Sequence, residues 1–429
     1  MRFFLAAIVT LIVLLVSCDN NTSTMEDSKS NNTTNSENNQ SNSNNALNNN
    51  NDTNANTSNN NNNSEEIYVF GPPIDKPQTT YLIDSITPAS NPTYTLDAVA
   101  LETLKTKITN KDFGNIDSLI IIQNGEIVIE DYFRGWNRHK LHYFYSVTKT
   151  LSAAIIGKAI EDGYISSINN TVIDYFDNYD TIESSSDYKD SITIEDVLTM
   201  STGIEWNEQD VPYLLDTGIW NVENQLFKMY YQAEGGDWVK YILDQPITYE
   251  PGTKFVYNTA SMMLISGILQ NEIGKSAGAY MDEVVLAPLG ITEYTLVSSD
   301  NGTTDLGGGL QMHPINMAMI GYLFLRSGNI NGTQIIPAQW ISDMSATHIS
   351  VDDYRDYGYL FWKYKDNHVA QYYSGTNDIF YAAGFGGQKI IIIPHLDMVI
   401  VSTADNYFHE GPDVDNMFLE YILPAVVAL

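Results

Sequence analysis

Two apolar runs rich in β-branched residues stand next to each other in the first third of the chain. The first covers Ser118–Gln123, the second covers Glu126–Phe133, and the dipeptide Asn124-Gly125 separates them. Asn-Gly tolerates the positive φ angles of a two-residue turn, and such turns join antiparallel strands. The pattern therefore predicts a β-hairpin.

The apolar positions that follow have helical spacing. From Ser146 to Glu161 they recur at intervals close to one helical turn, and the pattern stops before Gly163, a residue type that commonly ends helices. Between about Thr171 and Gly328 similar spacing predicts further helices, which cover Ile194–Met200, Trp238–Asp244, Ala260–Glu272 and Ile315–Arg326.

The C-terminal part returns to strand patterns. Lys389–Ile393 and Met398–Thr403 flank a turn over Pro394–Asp397, and a last helix is predicted over about Val414–Val427. Strands at both ends with helices between them indicate that the first and last strands share one sheet. The predicted fold class is α+β, with an antiparallel sheet flanked by helices and an inserted, mainly helical region.

Residues 1–17 have the pattern of a secretory signal peptide. Arg2 precedes an apolar run from Phe3 to Val16, which is too short to span a bilayer as an ordinary helix. Residues 15–18, Leu-Val-Ser-Cys, resemble the lipobox of bacterial lipoproteins, which implies cleavage before Cys18 and acylation of that residue. The alternative is an ordinary signal peptide with an incidental cysteine. The resemblance predicts a protein of the bacterial cell envelope, anchored by lipid to the membrane outside the cytoplasm.

The segment after Cys18 is nearly devoid of apolar residues. Asn fills 19 of the 34 positions from 31 to 64, and such a segment cannot bury enough surface to offset its chain entropy. We predict a disordered Asn-rich tether over residues 18–66 and one folded domain over residues 67–429.

Composition narrows the classes of function. The chain carries 21 Lys and Arg against 53 Asp and Glu, a formal charge of −32, so it lacks the basic surface that a nucleic-acid partner requires. Its single Cys excludes a disulfide scaffold. No run of His and carboxylate residues indicates a metal site, and nothing in the sequence indicates a cofactor.

A Ser-x-x-Lys pattern opens the predicted helix at Ser146. Its hydroxyl and the Lys149 amine are three residues apart and therefore lie on one helical face. Burial favours the neutral form of an amine, and a neutral amine can activate a serine as a nucleophile. The alternative is a helix start with a solvent-reaching lysine. A second match, Ser186 with Lys189, lies in an acidic stretch without an apolar face, where we predict a surface loop and a solvated lysine.

Further motifs follow Ser146 in a characteristic order: residues 198–203 (Leu-Thr-Met-Ser-Thr-Gly), 250–253 (Glu-Pro-Gly-Thr), 307–310 (Gly-Gly-Gly-Leu) and 383–388 (Ala-Gly-Phe-Gly-Gly-Gln). Together they resemble the serine β-lactamase and penicillin-binding superfamily, specifically the β-lactamase-related hydrolases similar to class C enzymes, carboxylesterases and 6-aminohexanoate-dimer hydrolase. The resemblance covers most of Asp117–Ala404. It implies a β-lactamase/transpeptidase-like fold. It also implies a serine hydrolase that acts on a small-molecule ester or amide through an acyl-enzyme.

The resemblance also implies roles for individual residues. Ser146 would be the nucleophile, and Lys149 and Tyr257 would share the base that takes and returns its proton. The backbone N–H groups of Ser146 and Phe385 would form the oxyanion hole, with Gly386 as the fallback donor. The residues that would line the substrate pocket are Thr259, Gly384, Gly386 and Trp206. Core packing is the alternative for Trp206.

Two positions depart from the family pattern. Thr259 stands where many relatives have Asn. The family element Lys/His-x-Gly aligns with residues 382–384, Ala-Ala-Gly, so that Ala382 stands where relatives have Lys or His. The missing cation argues against penicillins and against D-Ala-D-Ala peptides. A β-lactamase or D,D-peptidase, and a non-catalytic envelope-binding lipoprotein that keeps the fold, are the alternative functions. A Ser-His-Asp site has no support in the spacing of His142, His313 and Asp210.

Overall fold

The computed structural model describes residues 68–70, 78–179, 181–183, 186–208, 213–214, 219–407 and 409–429. The predicted signal peptide, Cys18, the predicted tether and Asp210 lie outside the described residues. The chain from Ile67 to Leu429 forms one compact unit. No helix in the described part is long and apolar enough to cross a membrane.

The described residues form 18 strands and 12 α-helices. The strands are β1 (Tyr68–Phe70), β2 (Tyr94–Leu96), β3 (Ile116–Gln123), β4 (Glu126–Tyr132), β5 (His142–Tyr143), β6 (Tyr213–Leu214), β7 (Ile219–Trp220), β8 (Tyr294–Ser298), β9 (Leu310–Met312), β10 (Asn329–Ile330), β11 (Thr333–Gln334), β12 (Ile349–Ser350), β13 (Arg355–Tyr357), β14 (Trp362–Tyr364), β15 (Phe380–Gly384), β16 (Gln388–Ile393), β17 (Met398–Ala404) and β18 (Val426–Ala428). The α-helices are α1 (Ala98–Thr109), α2 (Thr148–Glu161), α3 (Asp187–Asp190), α4 (Ile194–Leu198), α5 (Gln225–Gln232), α6 (Trp238–Leu243), α7 (Met262–Ile273), α8 (Ala277–Met281), α9 (Pro314–Leu325), α10 (Ala338–Ser345), α11 (Asp366–Val369) and α12 (Val414–Met417). The four helices predicted for the middle of the chain correspond to α4, α6, α7 and α9.

The main sheet is antiparallel, and its strand order is β12-β13-β14-β15-β16-β17-β3-β4. β3 and β4 form the predicted hairpin, and Asn124 and Gly125 have φ angles of 54° and 77°, as the two-residue turn requires. β17 pairs with β3, with Val401 opposite Ile120. Strands from both ends of the chain therefore share one sheet, and the predicted α+β class is confirmed.

Successive residues of β3 face opposite sides of this sheet. Ile120 and Ile122 pack in a cluster with side chains of α9, whereas Leu119 and Ile121 pack in a second cluster that includes Phe418. Helical segments thus cover both faces. All residues of β3, β16 and β17 are buried, which explains why apolar residues follow one another without alternation in Leu119–Ile122, Ile390–Ile393 and Met398–Val401.

The C-terminal helix is shorter than predicted. α12 ends at Met417, and the chain continues through a π-helical turn over Phe418–Ile422 and a 3-10 turn over Leu423–Ala425. Pro424 lies in the first turn of this 3-10 segment, where its missing N–H group is tolerated, and β18 then pairs with β2. The prediction of a last helix over Val414–Val427 therefore holds as far as Ala425 and is wrong only for its last two residues, which pair with a strand distant in sequence.

The second Ser-x-x-Lys match is a packed structural element. Ser186 accepts a hydrogen bond from the backbone N–H of Lys189 at 3.3 Å and so caps α3. The Lys189 residue is 3% exposed, and its Nζ donates to the carbonyls of Glu183, Leu243 and Gln245 at 2.8, 2.5 and 2.8 Å. Burial lowers the pKa of Lys189. The prediction of a solvated lysine is wrong, because residues 54 and 56 positions away cover this side chain.

Candidate active site

The candidate nucleophile follows a short strand and a strained residue. β5 pairs with β9, and the N–H of Phe144 donates to the carbonyl of Leu310 at 2.9 Å. Tyr145 has a left-handed conformation with a φ of 46°, which is unfavourable for a bulky residue. Ser146 lies in the 3-10 turn Tyr145–Val147 that leads directly into α2. The local backbone therefore places Ser146 at the start of a buried helix.

Lys149 lies one turn along from Ser146 and is only 1% exposed. Its Nζ donates to Ser146 Oγ at 2.8 Å, to Thr259 Oγ1 at 2.8 Å and to the carbonyl oxygen of Gly307 at 2.7 Å. These three acceptors match the three N–H groups of an ammonium. The structure thus brings together the hydroxyl and the amine that the sequence pattern indicated.

Tyr257 faces the same amine from a different segment. The Nζ of Lys149 lies 4.9 Å from the centre of the Tyr257 ring, and Trp362 of β14 stacks on that ring with centroids 5.9 Å apart. The adjacent N–H of Val256 donates to the carbonyl of Met200 at 2.8 Å, which ties this segment to the residues after α4. The three predicted catalytic residues therefore meet at one place.

The predicted oxyanion strand is β15. Its first two residues pair with both β14 and β16, whereas Ala382–Gly384 pair only with β16. A Cβ added at Gly384 would lie 3.3 Å from the backbone nitrogen of Ser146 and 2.3 Å from the carbonyl oxygen of Phe144. Glycine is needed here because the two backbones approach so closely. The segment that ends in Phe385 and the segment that carries Ser146 therefore adjoin.

The four residues predicted to line the substrate pocket occupy two kinds of position. Gly384 and Gly386 flank Phe385 at the turn between β15 and β16, where Gly386 has a φ of 84° and the Phe385 side chain is exposed. Thr259 and Trp206 are only 4% and 7% exposed. Neither offers a substantial surface to a substrate.

Glu208 is a site residue that no sequence pattern indicated. Its carboxylate accepts hydrogen bonds from the Thr259 N–H at 2.7 Å, from the Trp206 indole N–H at 2.9 Å and from the Thr259 hydroxyl. Because Thr259 also accepts from Lys149, Glu208 is one residue removed from the amine that contacts Ser146. Glu208 and Thr259 are 51 positions apart, and no motif links them.

Asp305 supports the third partner of Lys149. Its Oδ1 accepts from the N–H groups of Gly307 and Gly308, both at 2.9 Å, and its Oδ2 accepts from the Tyr230 hydroxyl at 2.8 Å. Burial raises the pKa of Asp305, while these hydrogen bonds and the charge of Lys149 act in the opposite direction. The contacts fix the loop whose Gly307 carbonyl holds the amine.

The two buried histidines have partners other than Ser146. His142 Nε2 pairs with Asp117 Oδ2 and its Nδ1 with the carbonyl of Tyr143, each at 3.0 Å. Burial lowers the pKa of His313, whose Nδ1 lies 3.3 Å from the Tyr81 hydroxyl. Within the described residues, no group of His, Cys and carboxylate side chains is arranged to hold a metal ion.

A serine in contact with a buried lysine, a tyrosine facing that lysine and a glycine-bearing strand edge are together the site of a Ser-x-x-Lys serine hydrolase. The profile of the family described as Beta-lactamase matches residues 117–419. The chain therefore belongs to the beta-lactamase family. The predictions of a β-lactamase/transpeptidase-like fold and of a serine hydrolase of the esterase or amidase type are confirmed.

Several known proteins are similar to most of the chain. The 6-aminohexanoate-dimer hydrolase of Paenarthrobacter ureafaciens is 22% identical over 327 residues, which cover 75% of this chain and 80% of that protein. A family VIII carboxylesterase superposes with a TM-score of 0.55 at 18% identity and covers 78% of this chain and 99% of its own. A penicillin-binding protein homologue from Caulobacter crescentus has a TM-score of 0.55 at 15% identity, with 76% and 96% covered. These two superpositions show a shared fold.

Proposed function

We propose that this protein hydrolyses a small ester or amide through an acyl-enzyme on Ser146. The observation that carries the proposal is the buried Lys149 amine, 2.8 Å from Ser146 Oγ. Its other two partners, Thr259 and the Gly307 carbonyl, are themselves held by Glu208 and Asp305. An amine fixed in contact with a hydroxyl is placed to exchange a proton with it.

The reaction has two halves. In the first, the Lys149 and Tyr257 pair takes the proton of Ser146 while Oγ attacks the substrate carbonyl carbon. The carbonyl oxygen becomes an oxyanion that accepts hydrogen bonds from the N–H groups of Ser146 and Phe385. The proton then passes to the departing alcohol or amine, and the acyl group remains on the serine. In the second, a water molecule gives a proton to the base and attacks the acyl carbonyl carbon. The base then returns this proton to Oγ as the bond between the acyl group and Oγ breaks, which releases the carboxylic acid and restores Ser146.

The charges beside β15 favour an uncharged ester or amide over a β-lactam. Ala382 is buried among apolar side chains and supplies no cation. A cavity of about 280 Å³ beside this strand is lined by residues that include Arg355 and Lys389. Each of these cations is already paired with a protein carboxylate, Arg355 with Asp352 and Lys389 with Asp415. A substrate carboxylate would have to compete with both.

Short-chain p-nitrophenyl esters should be hydrolysed by the purified protein, whereas benzylpenicillin and nitrocefin should not. The physical reason is the missing cation at Ala382, and the measurement is the initial rate of absorbance change for each substrate. Efficient turnover of nitrocefin would instead support the β-lactamase alternative, with Arg355 or Lys389 as the partner of the substrate carboxylate. No turnover of any ester would support the non-catalytic binding protein.

We also propose that the protein is exported and anchored to the membrane through Cys18. The support is the apolar run Phe3–Val16 and the position of Cys18, the only cysteine of the chain, directly after it. Acyl chains contribute about 0.8 kcal/mol per buried CH₂ group, so two or more of them hold a protein firmly. The Asn-rich segment would then separate the folded domain from the membrane.

Growth of the producing bacterium with an alkyne-bearing palmitate should label the wild-type protein but not Cys18→Ala. Labelled protein is detected by attaching a fluorophore and resolving the membrane fraction on a gel. Ser17→Ala, which keeps a small residue before the cysteine, is the matched control and should be labelled. Incorporation into Cys18→Ala, or none into the wild type, would refute the anchor.

A further inference from the structure

One of the groups that accept a hydrogen bond from Lys149 could also donate one. The carbonyl oxygen of Gly307 can only accept a hydrogen bond. The hydroxyl of Thr259 can accept from the amine or donate to it, depending on where its single hydrogen points. In the structure this hydrogen is directed to Glu208, and the Lys149 amine donates to Thr259 Oγ1 at 2.8 Å.

The orientation of the Thr259 hydroxyl decides where the lone pair of a neutral Lys149 points. A neutral amine has two N–H donors and one lone pair. When Gly307 and Thr259 both accept from the neutral amine, its two N–H groups are used, and the lone pair is left for Ser146 Oγ, to which the charged amine donates at 2.8 Å. If the hydroxyl hydrogen turned toward the amine instead, it would occupy the lone pair, and the amine could no longer take a proton from Ser146.

We propose that Glu208 is a positioning residue for the base. It makes Thr259 a permanent acceptor, and this keeps the lone pair of Lys149 directed at Ser146. Glu208 is itself held in place, because the Trp206 indole N–H at 2.9 Å and the Thr259 N–H at 2.7 Å both donate to its carboxylate. This role rests on the acyl-enzyme reaction proposed above, because Glu208 affects that reaction only through the Lys149 base.

Glu208→Ala should lower kcat for a p-nitrophenyl ester by roughly 10- to 100-fold, which is part of the contribution of a general base. KM should change by less than about threefold, because the residue acts on the chemical step. Thr259→Val removes the hydroxyl and keeps the shape, so it should lose a similar factor, and the double variant should be little worse than either. Glu205→Ala is the matched control, because Glu205 is an exposed carboxylate three positions away and should keep wild-type kcat.

Rescue distinguishes positioning from mere structural support. Thr259→Asn introduces an amide oxygen that accepts without any hydrogen to orient. The kcat of the double variant Glu208→Ala with Thr259→Asn should be about tenfold or more above that of Glu208→Ala alone. Glu208→Gln keeps the volume of the side chain, yet it should behave like Glu208→Ala. Its single amide oxygen can accept from the N–H groups of Trp206 and Thr259, but its amide N–H group then donates to the Thr259 hydroxyl and turns the hydroxyl hydrogen toward Lys149. Thermal unfolding of each variant identifies any loss of folded protein.

Three results would overturn the positioning role. The first is a kcat within about twofold of the wild type for both Glu208 variants, because a Lys149 lone pair directed away from Ser146 should lower kcat by more than that. The second is a change in KM alone, which would make Glu208 a substrate-binding residue. The third is no recovery by Thr259→Asn. A wild-type protein that hydrolyses no ester and is not labelled at Ser146 would overturn the proposed reaction itself, and the role of Glu208 with it.

Discussion

Ser146→Ala should abolish labelling of the protein by a fluorophosphonate probe and lower kcat for p-nitrophenyl esters by roughly 10⁴-fold or more. The reason is that the Ser146 hydroxyl contacts the buried Lys149 amine at 2.8 Å and lies beside the open edge of β15. In-gel fluorescence measures the labelling, and mass spectrometry of the digested protein identifies the modified serine.

Ser186→Ala is the matched control, because Ser186 belongs to the other Ser-x-x-Lys match. Its hydroxyl oxygen caps a helix, and the Lys189 amine is directed to three backbone carbonyls. We expect this variant to be labelled and to turn over esters like the wild type. Labelling that persists in Ser146→Ala, or a probe attached to Ser186, would refute Ser146 as the nucleophile.

Lys149→Ala and Tyr257→Phe should each lower kcat by about 10²- to 10⁴-fold, the usual contribution of a general base. The double variant should be little worse than either single one. The Nζ of Lys149 lies 4.9 Å from the Tyr257 ring, and in the proposed reaction both residues act on the same proton of Ser146. Removing either one therefore disables the same step, and the losses do not add.

The measurement is kcat for the wild type, the two single variants and the double variant. Lys140→Ala is the control, because Lys140 is exposed and its removal should leave kcat unchanged. Lys149→Ala also leaves the buried carbonyl of Gly307 without its donor, so thermal unfolding is recorded for every variant. If the two effects multiply, Lys149 and Tyr257 act independently and the shared-base mechanism fails, even with Ser146 as the nucleophile.

Two elements of the fold, the first hairpin and the helix that carries Ser146 and Lys149, follow from local sequence. Asn124 and Gly125 accept positive φ angles, which places the hairpin of β3 and β4 correctly. The apolar spacing after Ser146 gives α2, and the spacing of Ser146 and Lys149 along that helix puts both on one face. These features depend on neighbouring residues alone, so the sequence by itself determines them. The order of the motifs likewise indicates the beta-lactamase family.

Only the tertiary structure decided which polar side chains work together. Lys149 and Lys189 follow a serine at the same spacing and both are buried, yet Lys149 reaches Ser146 while Lys189 bonds backbone carbonyls of distant residues. Glu208 holds Thr259 across 51 positions. The partner of a buried polar group is set by which segments pack around it, because the group must find its hydrogen bonds inside the fold. That packing involves the whole domain, and no local stretch of sequence contains it.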